Sequence, residues 1–187
     1  MIIEGIISTR NAEGAIHFSA MGPHVDFAES RLELRPFQPS TTLDNLKTHP
    51  EGVFHIVDDA CLIAKLAIRH TPITFETEQA SQVSLPAMRD CCRRLEFSVQ
   101  HLDLHGQRAN IQCAIVHDQN IRPFSGFNRA NHALIEASIL ATRISFLPSE
   151  FVTQELVRLE EIVAKTGNPE HEEAMALIRE HVSAAIS

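Results

Sequence analysis

The spacing of apolar residues changes once along this 187-residue chain, and that change limits the fold class. Up to about residue 125, apolar and polar residues alternate over short runs, a pattern that is typical of β-strands. From residue 128 onward, apolar residues recur at three- and four-residue intervals, as they do on the buried face of a helix. Strands followed by helices, rather than interleaved with them, predict an α+β fold and argue against a Rossmann or flavodoxin architecture.

Six strands are predicted in the first part of the chain, and the first two form a hairpin because residues 11–14 carry turn chemistry. The predicted strands cover 2–9, 15–21, 31–37, 52–58, 94–104 and 107–117. Helices are predicted over 40–46 and 59–70, while 71–90 shows no clear pattern. Three more helices are predicted over 128–146, over 149–165 and from 169 onward.

The charge balance and the cysteines exclude several classes of protein. With 16 basic and 24 acidic side chains, the net charge of −8 argues against a nucleic-acid surface. No segment resembles a signal peptide or a membrane span, so no membrane partner is expected. The four cysteines form no CxxC pair, which argues against a disulfide framework and favours reduced thiols in the cytoplasm.

No motif identifies a catalytic residue or a metal site. The eleven histidines do not form HExxH or another convincing ligand spacing, so no metal is expected. GxSxG, P-loop and GxGxxG motifs are absent from the sequence. Cys91 and Cys92 precede two arginines that would lower a thiol pKa, but no partner histidine can be assigned to them.

A cluster of hydroxyl side chains marks a candidate anion site. Ser40, Thr41 and Thr42 lie where a predicted strand ends and a short helix begins. The first N–H groups of a helix lack partners and favour negative charge, so with the nearby Arg35 this segment is suited to a phosphate. Asn45 follows one helical turn later and is within reach of a sugar or ribityl hydroxyl.

The same residues also fit an ordinary helix cap. Thr41 would then cap the helix, and Asp44 would complete a variant capping box. Asp44 also weighs against a phosphate, because a nearby carboxylate repels it. From the residues alone, both interpretations stay open.

The segment 31–59 resembles a signature of the flavin-reductase-like FMN-binding split barrels. There, a strand ends in a Pro-containing turn, followed by Ser/Thr-Thr-x-x-Asn-Ile/Leu and a Gly-x-Phe strand. The matching residues here are Pro36, Thr41, Thr42, Asn45, Leu46, Gly52 and Phe54. EGIISTRNAEGAIHFSAMG and GFNRANHALIEASILATR are similar to one branch of this superfamily, a family of unknown function, so the resemblance covers most of 1–147.

The resemblance implies an antiparallel split β-barrel of about six strands with a helical C-terminal part. We therefore expect a barrel over 1–125, with 126–187 as helices that pack on it or at a dimer interface. The implied cofactor is FMN, whose phosphate and ribityl chain would contact Ser40, Thr41, Thr42 and Asn45. The resemblance also implies a homodimer that shares its flavin site, and reduced nicotinamide, NAD(P)H, as the electron donor.

Three further residues are candidates for the flavin site. Arg129 and His132 lie on a polar helix face, near the phosphate or a substrate in one interpretation and on a solvated surface in the other. Gly22 ends the second strand, where glycine permits close approach to a flat ring. Simple hairpin chemistry explains Gly22 equally well.

Three functions are compatible with these features. The first is a flavin-dependent oxidoreductase acting on an unidentified small molecule, in which the cofactor carries the electrons. The second is a non-catalytic flavin binder, a carrier or sensor. The third is an interaction protein that keeps the fold without the cofactor, which the hydroxyl cluster disfavours.

Overall fold

A computed structural model describes residues 1–69 and 73–186 of the chain. Within them, the chain forms two compact units. The first unit comprises Met1–Val57 and Thr74–Phe124, and the second comprises Asp58–Ile73 and Ser125–Ser187. The second unit thus includes a segment from the middle of the sequence, in addition to the C-terminal helices that were expected over 126–187.

The first unit is built on a curled antiparallel sheet of half-barrel form, which confirms the predicted α+β split-barrel fold. Seven strands of the described chain pair in the order β2-β1-β5-β8-β9-β4-β3. Their bounds are β1 Gly5–Arg10, β2 Ile16–Met21, β3 His24–Asp26, β4 Arg31–Leu34, β5 Glu51–Ile56, β8 Arg93–Asp103 and β9 Asn110–Asn120. The helix α1, Thr41–Thr48, follows β4.

The core of this unit is formed by one face of several strands and by one side of α1. Alternation places every second residue of a strand on the same face, which is why the apolar pattern of the sequence identifies the core. The fully buried side chains of this core include Ile7, Leu34, Leu43, Phe54, Phe97 and Ile111.

A two-stranded ribbon covers the other face of the sheet at β1 and β5. It pairs β6, Thr77–Gln79, with β7, Pro86–Met88. The buried carboxylate of Glu96 accepts hydrogen bonds from the backbone N–H groups of residues 81–83, at 2.6 to 3.1 Å. The buried ring of His55 bridges the carbonyl of Ile6 and the N–H of Met88, both at 3.0 Å.

The second unit is a helical assembly with its own core. It contains α2 Ala60–Ala67, α3 Arg129–Ala141, α4 Ser149–Thr166 and α5 Pro169–Ile186. Their apolar stripes meet in a buried cluster that includes Ala64, Leu134, Val152, Leu159 and Ile178. No helix in the described residues is both long enough and apolar enough to cross a membrane.

Several predicted elements differ from the structure. The strand predicted over 31–37 ends at Leu34, because Pro36 cannot donate to a ladder. The helix predicted over 128–146 ends at Ala141, and a 3₁₀ turn follows over Ile144–Phe146. The short strands β3, β6 and β7 were not predicted. The helix predicted over 59–70 is α2, and its last predicted residue lies outside the described residues.

Candidate flavin site

The segment that leads into α1 is held by the turn between β8 and β9. Gln38 donates from its backbone N–H to the carbonyl of Gln107 at 3.1 Å. Its side-chain amide donates to the carbonyls of Leu104 and Gly106, at 2.9 and 3.0 Å. These bonds fix the path of the chain between β4 and α1, and therefore fix where the helix begins.

Ser40 is the N-cap of α1. Its backbone is extended, and its hydroxyl oxygen accepts a hydrogen bond from the N–H of Leu43 at 3.3 Å. The capping interpretation had assigned Thr41 to this position, so it was wrong by one residue. The N–H groups of Thr41 and Thr42 have no carbonyl four residues back within the helix, and Thr41 is exposed.

Two polar bridges, one buried and one partly buried, join α1 to the first hairpin. The hydroxyls of Thr42 and Ser19 lie 3.0 Å apart, which links α1 to β2. The amide of Asn45 donates to the hydroxyl of Thr9 at 2.9 Å, which links α1 to β1. Because Thr9, Thr42 and Asn45 are all buried, loss of one partner would leave another polar group without its bond.

The nearby charges are largely engaged with one another. Asp44 pairs with Lys47 at 3.1 Å on the exposed side of α1, which offsets the negative charge beside the helix start. Arg35 forms a hydrogen-bonded pair with Glu33, with an Nη2 to Oε1 distance of 2.7 Å. The Arg35 guanidinium is therefore bound to a carboxylate on its own strand segment.

Gly22 lies beside an acidic side chain. A Cβ atom at this position would be 2.4 Å from a carboxylate oxygen of Glu4. The absence of a side chain at Gly22 therefore makes room for the carboxylate of Glu4. That contact supports the structural interpretation of Gly22 and supplies no argument for a stacked ring.

Arg129 and His132 lie in the helical unit, on the first turn of α3, and both are exposed. Asn128 caps this helix by accepting from the N–H of Ala130 at 2.7 Å. The ring of His132 lies 6.0 Å from that of Phe127, which is 90% exposed on the turn that precedes the helix. The structure therefore brings together Ser40, Thr41, Thr42 and Asn45, and it describes Arg129 and His132 separately from them.

Three of the four cysteines have thiol pKa values above the ordinary value. Burial raises the pKa of Cys113 to about 12, and it raises the pKa of Cys61 to about 11 with help from Asp59. The pKa of Cys91 is also raised, chiefly by burial, although Arg94 opposes the shift. Arg94 thus acts on the pKa of Cys91 in the expected direction, but burial outweighs it. Across the described residues, no cluster of three or more His, Cys, Asp or Glu side chains could hold a metal ion.

The donor chemistry of the α1 start suits a phosphate. It combines two N–H groups at a helix start, the exposed hydroxyl of Thr41 and a capping hydroxyl, and its acidic neighbour is paired with a lysine. The sequence did not single out Thr9 and Ser19, which anchor this helix. Their contacts join residues that are 36 and 23 positions apart in the sequence. The only signal in the sequence was that both are hydroxyl residues in predicted strands.

Comparison with solved structures shows that the chain has the fold of the flavin-reductase-like split barrels. A flavin reductase of styrene monooxygenase from Pseudomonas putida S12 superposes with a TM-score of 0.54 at 10% identity, covering 65% of this chain and 82% of that one. An FMN-binding protein from Thermus thermophilus, with bound p-hydroxybenzaldehyde, superposes with a TM-score of 0.55 at 10% identity, covering 63% and 71%.

The chain belongs to the family described as protein of unknown function DUF447. The model of its N-terminal domain matches residues 3–122, and the model of its C-terminal part matches 128–180. An FMN-bound protein of this family from Methanosarcina mazei superposes with a TM-score of 0.81 at 21% identity, covering 96% of this chain and 94% of that one. No curated protein matches the chain in sequence.

Proposed function

We propose that this protein binds FMN and holds its phosphate at the start of α1. The observation that carries the proposal is the group of donors formed by Thr41, Thr42 and the cap residue Ser40. A family relative that superposes over 96% of the chain is FMN-bound, which supports the same cofactor here. The fold alone would not be enough, because function depends on the site.

Each part of the α1 start has a task in this proposal. The N–H groups of Thr41 and Thr42, with the Thr41 hydroxyl, donate to the phosphate oxygens, and the helix dipole favours the negative charge. Hydrogen bonds to a charged group contribute about 1.5–3 kcal/mol each. Asn45 holds the helix on β1 through Thr9, so its amide acts mainly by keeping these donors in place.

We extend the proposal to a homodimer that completes the site. Arg35, the arginine nearest to the α1 start in the sequence, is already paired with Glu33. Its positive charge is therefore not left to pair with the phosphate. In the dimer, Arg129 of the second subunit supplies positive charge, and His132 supplies a ring N–H donor, to the phosphate or the substrate. Their exposed positions at the start of α3 are compatible with that role.

The reaction that we propose is a flavin-dependent reduction of a small molecule with NAD(P)H as the donor. Bound FMN would supply the electron transfer, and the protein would bind it and control access to it. The similar folds of flavin reductases support this class. Four free cysteines favour a cytoplasmic location.

A non-catalytic flavin binder, a carrier or sensor, is the alternative. It is favoured by the absence of an assigned catalytic residue, since the site residues described above all bind or position. Oxidation of NAD(P)H at a steady rate would separate the two functions, because a carrier would show at most one turnover.

Thr41→Ala tests the phosphate position. The variant loses the exposed hydroxyl donor, and Thr41→Ala with Thr42→Ala also loses the buried hydroxyl that links α1 to Ser19. We expect the double variant to bind FMN at least tenfold more weakly in a fluorescence titration, while its circular dichroism melt stays cooperative.

Thr48→Ala is the matched control at the other end of α1, where the hydroxyl donates to the carbonyl of Asp44. It should bind FMN as the unmodified protein does. Equal FMN affinity in the double variant and in this control would show that the phosphate is bound elsewhere.

A further inference from the structure

A concave apolar surface lies at the end of the sheet unit where β1 begins. This groove has a volume of about 580 Å³, within the range of small-molecule pockets. Apolar side chains form most of its wall, among them Ile3, Ile56, Ile121, Pro123 and Phe124. Because such a wall gains free energy when water leaves it, the groove suits a small and largely apolar ligand.

The groove is separate from the polar cluster at α1. Within the described chain, its lining includes none of the residues that hold α1 or that are proposed to bind the phosphate. Ile3 precedes β1, whereas Thr9 lies near the far end of that strand, six positions later. At roughly 3.3 Å per residue, this corresponds to about 20 Å.

The positive charge of Arg93, which lines the groove, is already balanced. Its Nε and Nη2 atoms donate to the two carboxylate oxygens of Asp118, at 2.6 and 2.5 Å. Its guanidinium carbon lies 4.4 Å from the centre of the Phe27 ring, a cation–π arrangement. Arg93 and Phe27 therefore add flat surface to the wall and leave no charge for a ligand to neutralise.

The second arginine of the lining, Arg122, is engaged in the same way. Its Nε donates to Asp90 at 2.7 Å, and its Nη1 donates to the carbonyl of Pro123 at 3.3 Å and to the sulfur of Cys92 at 3.4 Å. No acidic side chain of the described residues lines the groove. A charged ligand would therefore lose hydration here without gaining an ion pair, and a neutral ligand is favoured.

Asn120 gives the lining one uncharged amide. It is the last residue of β9, and it is exposed. An amide side chain carries both donors and an acceptor, so it can bond to a neutral polar substituent. An apolar wall with a single amide is the usual arrangement of a small-molecule site, in which the polar group sets the orientation of the ligand.

We propose that this groove is a second binding site, for an uncharged aromatic molecule of one or two rings with a polar substituent. The rings lie against Phe27 and Phe124, and the substituent bonds to the amide of Asn120. This site requires neither FMN nor the residues of the α1 start, so its test is independent of the proposed flavin site.

The test is a calorimetric titration with neutral 2-naphthamide and with two charged counterparts, 2-naphthoate and protonated 2-(aminomethyl)naphthalene. The proteins are the unmodified chain, Phe124→Ala, Asn120→Ala and a control, Phe151→Ala. Phe124 and Phe151 are 48% and 46% exposed, but of the two only Phe124 lines the groove. The control therefore removes an equally exposed ring elsewhere, and thermal melts establish that each variant is folded.

We expect naphthamide to bind at least tenfold more tightly than either charged counterpart. Phe124→Ala should lose at least fivefold in naphthamide affinity, because part of the apolar wall is removed. Asn120→Ala should lose about threefold, the effect of one neutral hydrogen bond. Phe151→Ala should behave as the unmodified protein, and saturating FMN should not displace naphthamide.

Five results would overturn the proposal. Absence of naphthamide binding at millimolar concentration would mean that the groove is not a ligand site, and tighter binding of a charged counterpart would mean that its charges are not balanced. Equal weakening in Phe124→Ala and Phe151→Ala would reduce the effect to adsorption on exposed rings. Displacement by FMN would place naphthamide in the flavin site. An affinity that falls as the protein concentration rises would mean that a second copy of the chain covers the groove.

Discussion

Protonation of His55 should destabilise the sheet unit at acidic pH, and the size of the effect follows from its burial. The ring is fully buried, its Nδ1–H donates to the carbonyl of Ile6, and its Nε2 accepts from the N–H of Met88. Burial lowers the pKa of His55 from 6.5 to about 4, and the positive charge of Arg94 contributes, although the hydrogen bond to Ile6 opposes the shift.

The sign of the effect follows from proton uptake. Between pH 6.5 and about 4, the unfolded chain binds a proton at His55 and the folded chain does not. The free energy of unfolding therefore falls as the pH falls through this window. A difference of 2.5 pKa units at 1.36 kcal/mol each gives a loss of about 3 kcal/mol from this residue.

Urea unfolding followed by circular dichroism at several pH values between 7.5 and 4 measures this loss. His55→Gln cannot take up the proton, so its free energy of unfolding should fall by about 3 kcal/mol less over the window than that of the unmodified protein. His105→Gln is the control, since His105 is fully exposed and should leave the pH dependence unchanged. The same loss in His55→Gln as in the unmodified protein would refute the reasoning.

Three further substitutions test the packing and the hydrogen bonding of the sheet unit. Gly52→Ala should destabilise the fold by about 1–3 kcal/mol, because the new Cβ would lie 2.5 Å from the ring of Phe97 and 2.8 Å from a backbone oxygen; an unchanged urea midpoint would contradict this packing. Gly22→Ala, where the three nearest atoms all belong to the flexible end of Glu4, should cost less in the same assay. Glu96→Gln should increase hydrogen exchange at the N–H groups of residues 81–83, because a neutral amide oxygen is a weaker acceptor than a carboxylate; unchanged exchange by mass spectrometry would show that the loop does not depend on this charge.

The strands that form the barrel core could be predicted from the sequence because they alternate. Leu32 and Leu34 of β4 are buried on either side of Glu33, as a half-buried strand requires. The hairpin of β1 and β2 was equally clear, because its turn carries Asn11 and Gly14. Local pattern and tertiary burial agree in these elements.

The ribbon over 77–88 could not be predicted, because side chains from elsewhere hold it. All three residues of β6 are exposed, and β7 begins with Pro86, so neither strand shows an apolar period. Its anchors are Glu96 and His55, which lie on other strands. A sequence pattern records the neighbours of a residue along the chain and not these distant partners.

The candidate site was predictable only in part for the same reason. The start of α1 could be recognised because hydroxyl residues cap helices, although the cap is Ser40 and not Thr41. The partners of Thr42 and Asn45 lie on the first hairpin and required the structure. The pairing of Arg35 with Glu33 was not predicted either, although only two positions separate these residues.

The absorption spectrum of the purified protein, followed by addition of reduced nicotinamide without oxygen, tests the central claim most directly. We predict a visible flavin band that bleaches when the donor is added. A band that persists would leave an FMN binder that does not use this donor. A colourless protein that also fails to take up added FMN would contradict the account.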